Sequence, residues 1–225
     1  MNLDYTPSEL MAVAGSRELI DGEVVAVGLG LPVVASFLAK QTHAPNMTIL
    51  FELGVIDPQP IDQGVGLADP RVWYDANVLS SFVDILGEVL HRGRVDVGFL
   101  GGLEVDQFGN LNTSLVGDPK GRFRHMIGSG GANDIASCAK RTIIIMRHEE
   151  RKLKKAISFI TSPGYLTGGD SRSKAGLAGG PSRVITDKAI FSFHPETKQM
   201  MLASIHPGIT LAEVLATMGF LPVVP

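Results

Sequence analysis

Val24-Val25-Ala26-Val27-Gly28-Leu29-Gly30-Leu31-Pro32-Val33-Val34 joins an apolar run to a second apolar segment through a glycine turn. Val24 to Val27 predicts a buried strand, and Gly28-Leu29-Gly30-Leu31 turns it into a helix carrying Val33, Val34, Phe37 and Leu38. A strand feeding a helix through glycines is the repeating unit of a parallel sheet. After Ala44-Pro45-Asn46, the run Met47 to Phe51 predicts a second buried strand, with Glu52 at its C-terminal end just before Gly54. Ligands of open α/β sheets bind beyond the carboxyl ends of the strands, so a carboxylate at that place can meet a substrate.

Outward from this unit the alternation continues. Thr6, Pro7 and Glu9 have the arrangement of an N-cap, a first-turn proline and a capping-box acid, opening a helix through Met11, Val13 and Leu19. Asp57 to Arg71 reads as a long loop; Phe82, Val83, Leu86, Val89 and Leu90 recur at helical spacing up to Gly93. Val95 to Leu100 predicts a strand ending at Gly101-Gly102, and a hairpin fits Asp106 to Asn110. Gly128 to Asp134 opens a small helix with Ile135 and Ala136, and Thr142 to Met146 and Ile157 to Thr161 predict further strands. Gly164 to Pro181, rich in Gly and Ser, is expected to be a mobile surface excursion. Arg183–Thr186, Ala189–Phe193 and Gln199–Ile205 give late strands with short connections, and Thr210 with Glu213 caps a last helix that closes at Gly219. The expected class is α/β, an open and mostly parallel sheet flanked by helices, with a small antiparallel region in the C-terminal part, all within one domain over 1–225.

Composition narrows the function. The 225 residues are 44% hydrophobic and 19% charged, ordinary globular usage. Lys plus Arg is 20 against 23 Asp plus Glu, a formal net charge of −3, which supplies no excess positive potential for a nucleic acid. Cys138 is the only cysteine, so no internal disulfide or CxxC metal site exists, in keeping with a reducing compartment. The N-terminus shows no export signal and no apolar run reaches the length of a membrane span, so the cytoplasm is the expected location.

Several residues are candidates for chemistry, each with a plainer alternative. Gly28-Leu29-Gly30 begins like a dinucleotide fingerprint, but Val33 stands where the third glycine would be; the turn is either structural or presents backbone N–H groups to an anionic ligand. Gly128-Ser129-Gly130-Gly131 lets backbone amides converge on an oxygen, as an oxyanion hole does, or is simply a flexible lead-in to a helix. Glu52, among Phe51, Leu53 and Val55, is either a partly desolvated nucleophile or base, or a salt-bridged acid at a strand end. His148 lacks the second histidine of a zinc helix, and Ser129 lacks the preceding glycine of a nucleophile elbow, so neither metal nor serine hydrolysis is supported. Arg151, Lys152, Lys154 and Lys155 form a basic run that either approaches phosphates or is a solvated helix face.

The order of these stations resembles the B half of family I CoA transferases, and among them the glutaconate type. The matching residues are Gly28-Leu29-Gly30-Leu31-Pro32, Phe51-Glu52-Leu53-Gly54, Gly101-Gly102 with Glu104-Val105-Asp106 and Gly109-Asn110, Gly128 to Asn133, His148-Glu149 and Thr161 to Gly164. The resemblance implies that Glu52 is the catalytic glutamate, that Gly131 with Gly130 supplies an oxyanion-hole amide, and that the Gly28-Leu29-Gly30 loop lies against the thioester. It also implies an A-type partner subunit of similar fold, an acyl-CoA and a carboxylic acid as substrates, and coenzyme A as co-substrate with no permanently bound cofactor. The family includes relatives that decarboxylate or hydrolyse acyl-CoA, and related α/β folds serve as effector sensors, so those two activities and a non-catalytic acyl-CoA or small-molecule sensor remain open alternatives.

Overall fold

The computed structural model describes residues 4–59, 66–118 and 120–225. Chain order begins with α1 (Pro7–Ser16), β1 (Val24–Val27), α2 (Leu31–Thr42), β2 (Thr48–Phe51), β3 (Val55–Ile56) and β4 (Val78–Leu79). A π-helical segment, Asp84–Leu90, leads to β5 (Val97–Gly101), β6 (Glu104–Asp106), β7 (Leu111–Asn112), β8 (Leu115–Gly117) and β9 (Phe123–His125). Then follow α3 (Ala132–Cys138), β10 (Arg141–Ile145), β11 (Leu153–Lys154), α4 (Ser171–Lys174), β12 (Pro181–Ile185), β13 (Ala189–Phe193), β14 (Met200–Ile205) and α5 (Leu211–Leu215).

One sheet runs in the order β14-β13-β12-β10-β5-β1-β2-β3-β4. Its interior, β12 to β2, is parallel, and both margins are antiparallel. Side chains alternate across it: Val25, Val27, Ile49, Phe51, Val97, Phe99, Ile143 and Ile145 pack under α1 and α2, while Ala26, Leu50, Leu100 and Ile144 face the π-helix, α3 and α5. These strands are buried on both faces, which explains why they read as continuous apolar runs instead of alternating ones. Each large side chain sealed this way contributes about 1.5–3 kcal/mol.

Both expected capping boxes form, at Thr6 with Glu9 and at Thr210 with Glu213, and the late antiparallel strands are present. Among the described residues no helix is long and apolar enough to cross a membrane. The loop expected from Asp57 is irregular in its described part up to Asp69 and runs into a 3-10 turn at Pro70–Trp73; 60–65 lie outside the described residues, and β3, just before the loop, folds back antiparallel on β2. Three expectations are corrected. The helix expected around 82–90 is wider than an α-helix, with His91 N–H donating to Leu86 O and Arg94 N–H to Val89 O, and Phe82 and Val83 stay exposed before it. Ile157–Thr161 is not a strand: Phe159 and Ile160 are exposed, and the sheet contact moves to β11 and to a single bridge between Leu111 and Ser162. The glycine-rich excursion at 164–181 is pinned rather than mobile, because it holds α4 and the buried Arg172.

Candidate active site

The site grows from the end of β2. Glu52-Leu53-Gly54 reverses the chain into β3, and the tight reversal depends on Gly54, whose φ is 111°. A Cβ there would stand 2.3 Å from Ser80 O, so no other residue fits. Ser80 N–H donates to Gly54 O across 2.8 Å and ties the turn to the neighbouring β4. Glu52 is thereby held at the carboxyl-end crest of the sheet with its side chain half-buried.

Its carboxylate meets the glycine loop that precedes α3. Gly131 N–H donates to Glu52 Oε2 at 2.6 Å, a charge-assisted bond. The approach is possible only because the loop lacks side chains: a Cβ on Gly131 would lie 2.3 Å from Oε2, and one on Gly130, whose φ is +49°, 3.1 Å from Oε1. Glu52 has no cationic partner within ion-pair distance among the described residues.

The loop is fixed from behind. Gly128 N–H donates to Thr113 O at 2.9 Å, and Thr113 Oγ1 returns a bond to Gly128 O at 2.7 Å. Thr161 Oγ1 accepts from Thr113 N–H at 2.9 Å, and Thr161 O accepts from Asn133 Nδ2 in the first turn of α3 at 2.8 Å. Arg172 fastens the other end of α3: its Nη2 donates to Ala136 O and Ala178 O, its Nη1 to Pro163 O and Gly164 O, and its Nε to Ala178 O, all within 2.7–3.1 Å. All these partners are carbonyls; no carboxylate is among them.

A cavity of about 490 Å³ opens in front of Glu52. Gly28, Leu29, Thr113, Gly128 and Gly130 border it, and Leu100, Ile127 and Met146 give it an apolar wall. The structure brings Glu52, Gly130, Gly131, Gly28 and Leu29 to the same border of this cavity. Gly30 stands slightly apart, capping α2 and bordering the groove between α1 and α2. Gly28 offers no free donor, because its N–H is bound to Phe99 O at 2.8 Å. Thr113, Asn133 and Arg172 are not legible as site residues from sequence; each acts through carbonyls or amides distant in the chain, which no local pattern announces.

Two candidates leave the site. His148 is buried between Thr186 Oγ1 and Val214 O, at 3.0 Å from each, and stacks on Phe191. Val214 O can only accept, so Nε2 carries a proton, and Nδ1 faces the Thr186 hydroxyl; burial, with the Lys188 charge, holds its pKa below the usual imidazole value. Three of the four cations in the basic run are neutralised in place: Arg151 and Lys152 pair with Glu149, and Lys154 with the buried Glu104, while Lys155 forms no ion pair among the described residues.

A half-buried carboxylate at the crest of a mostly parallel α/β sheet, meeting a glycine-loop amide at the mouth of an apolar cavity, is an arrangement able to carry acyl chemistry. The coenzyme A transferase family profile matches residues 8–217, and the chain belongs to that family. It is 38% identical to the B subunit of the glutaconate CoA-transferase of Acidaminococcus fermentans, over 96% of this chain and 84% of that protein. It is 37% identical to the B subunit of the 3-oxoadipate CoA-transferase of Pseudomonas knackmussii, with the same coverages of 96% and 84%. The crystal structure of the Acidaminococcus glutaconate coenzyme A-transferase matches with a TM-score of 0.91 at 35% identity, covering 98% of this chain and 86% of that one. The decarboxylase AibA/AibB matches with a TM-score of 0.83 at 25% identity, covering 98% and 86%.

Proposed function

We propose that this chain is the glutamate-bearing half of a two-component coenzyme A transferase, acting with an A-type partner and moving CoA from an acyl-CoA to a carboxylic acid. Coenzyme A is then co-substrate, not a resident cofactor. The observation that carries the reading is the contact between Gly131 N–H and Glu52 Oε2 at the cavity mouth.

In the proposed ping-pong course a Glu52 oxygen attacks the acyl-CoA carbonyl and expels CoA thiolate, leaving a mixed anhydride. The thiolate then attacks the Glu52 carbonyl carbon and expels the acyl group as its carboxylate, leaving a glutamyl-CoA thioester. An acceptor carboxylate reverses both steps, so the thioester energy is conserved. In the second step the negative charge develops on an oxygen of Glu52 itself. Gly131 N–H already faces such an oxygen, where a fixed donor stabilises the tetrahedral intermediate without reorganisation.

Likeness to the decarboxylase AibA/AibB favours a second reading, in which Glu52 serves as a base on the same scaffold. Incubating the assembled enzyme with an acyl-CoA donor and no acceptor distinguishes the two. Transfer predicts a CoA-sized mass increase on Glu52 that hydroxylamine removes. Loss of CO2 from the donor, with no adduct at any time, supports the second reading and overturns the first.

A further inference from the structure

Arg151, Lys152 and Lys154 of the basic run are paired, but several other cations form no ion pair among the described residues, and three of these fall on one element. Lys120, Arg122 and Arg124 lie on the hairpin formed by β8 and β9, where every described residue from Gly117 to His125 is exposed. Asp118 is the hairpin's one carboxylate, and its Oδ1 accepts from the Lys120 backbone N–H at 2.9 Å. The tip is therefore net positive.

Alternation along β9 separates two faces. Arg122 and Arg124 point to one, with Val116 opposite Arg124; Phe123 and His125 share the other, in an edge-to-face contact with ring centroids 5.0 Å apart. The base of the hairpin is joined to the site: Met126 N–H donates to Ser114 O at 2.8 Å, and Thr113 and Gly128 are bonded to each other, just before Gly130 and Gly131 reach Glu52. From Thr113 to Gly117 an extended strand covers about 13 Å. The hairpin thus springs from the border of the cavity, where Thr113, Ile127 and Gly128 stand, and carries these cations on its far part.

We infer that the β8–β9 hairpin binds the 3′-phospho-ADP end of coenzyme A, with Lys120, Arg122 and Arg124 meeting the phosphates. This deepens the proposed function and rests on it for the direction of the ligand. Arginine suits the task because its planar fork pairs phosphate oxygens two at a time.

The test uses the chain assembled with its A-type partner. Calorimetric titration with adenosine 3′,5′-bisphosphate and with CoA is compared between wild type and the double variant Arg122→Ala/Arg124→Ala, together with rates on acyl-CoA and on the matching acyl-pantetheine. The expected results are a roughly tenfold or greater loss of affinity for the bisphosphate, since each exposed charge pair contributes a factor of a few, and the same loss in the preference for acyl-CoA over acyl-pantetheine. Wild-type binding of the bisphosphate should weaken with added salt. Unchanged affinity and unchanged preference in a folded variant overturn the inference and leave the transferase reading standing. Loss of the A-type partner from the variant, with bisphosphate affinity retained, also overturns it by making the hairpin an intersubunit contact. Hairpin-dependent bisphosphate binding in an enzyme that transfers nothing supports the inference while sinking the transferase reading.

Discussion

Gly131 and Glu52 lie 79 positions apart in the chain, and the amide of the first donates to the carboxylate of the second across 2.6 Å. The contact closes one side of the cavity and sets which oxygen of Glu52 faces a donor. It also makes two residues, one with no side chain at all, answerable to separate tests.

Glu52→Ala should abolish transfer while leaving the fold intact, since the side chain is half-buried at a turn and fills no core space. Glu52→Asp withdraws the carboxylate by about 1 Å, an error that costs on the order of a hundredfold in turnover. Steady-state rates with far-ultraviolet circular dichroism on the same samples check both; near-normal turnover in the Ala variant would remove Glu52 from the mechanism.

Gly131→Ala places a methyl where Oε2 now sits, 2.3 Å away, with Leu86 Cδ2 at 3.3 Å on the other side. The carboxylate must swing off the amide. Losing one oxyanion donor costs about 10²–10³ in kcat, so the expected outcome is a fall of that size with a smaller change in KM. Equal wild-type and variant kcat would mean that the glycines only shape a turn.

Arg172→Met should destabilise the protein by at least about 3 kcal/mol, because the carbonyls of Ala136, Pro163, Gly164 and Ala178 lose their shared buried donor. The urea midpoint reports the loss. A change within 0.5 kcal/mol or so, the ordinary range for surface substitutions, would show that the clasp is dispensable.

His148 gives the protein a defined acid limit. Burial lowers its pKa in the fold, so the unfolded chain takes up the proton first. Its stabilising contribution is complete above the unfolded value of about 6.5 and is lost as pH falls from there towards the folded value, with a slope of up to about 1.4 kcal/mol per pH unit. Urea melts between pH 7.5 and 5 should show this slope, and His148→Gln should lack it; an identical slope in the variant would place the titration elsewhere.

Much of the frame was legible because it is written in local patterns. Val24 to Val27 and Met47 to Phe51 are apolar throughout, as strands covered on both faces must be, and the acid directly after the second run could only stand at the sheet's crest. Thr6 with Glu9 and Thr210 with Glu213 announce helix starts through contacts three residues apart. What binds the glycine loop to Glu52, Thr113 to Thr161, or Arg172 to Ala136 is settled by topology, and nothing in each residue's own neighbourhood carries it. Ile157 to Thr161 misleads for a related reason: the run is apolar enough for a strand, but Phe159 and Ile160 lie on the surface and no sheet edge is offered to them.

The strand order also governs how the chain comes off the ribosome. β1 and β2 can pair as soon as both have emerged, but the other edge of β1 waits for β5, with Val25 held for Val97. That gap of about 70 residues corresponds to roughly 4–14 s of synthesis at 5–20 residues per second. β5 in turn waits for Arg141 to Ile145. For that interval an apolar strand edge stands open, the kind that recruits foreign strands. The crest on which Gly28 and Glu52 stand is thus made early but stays open on one side until β5 arrives, and the nascent chain is exposed to misassembly while that end of the sheet is half built.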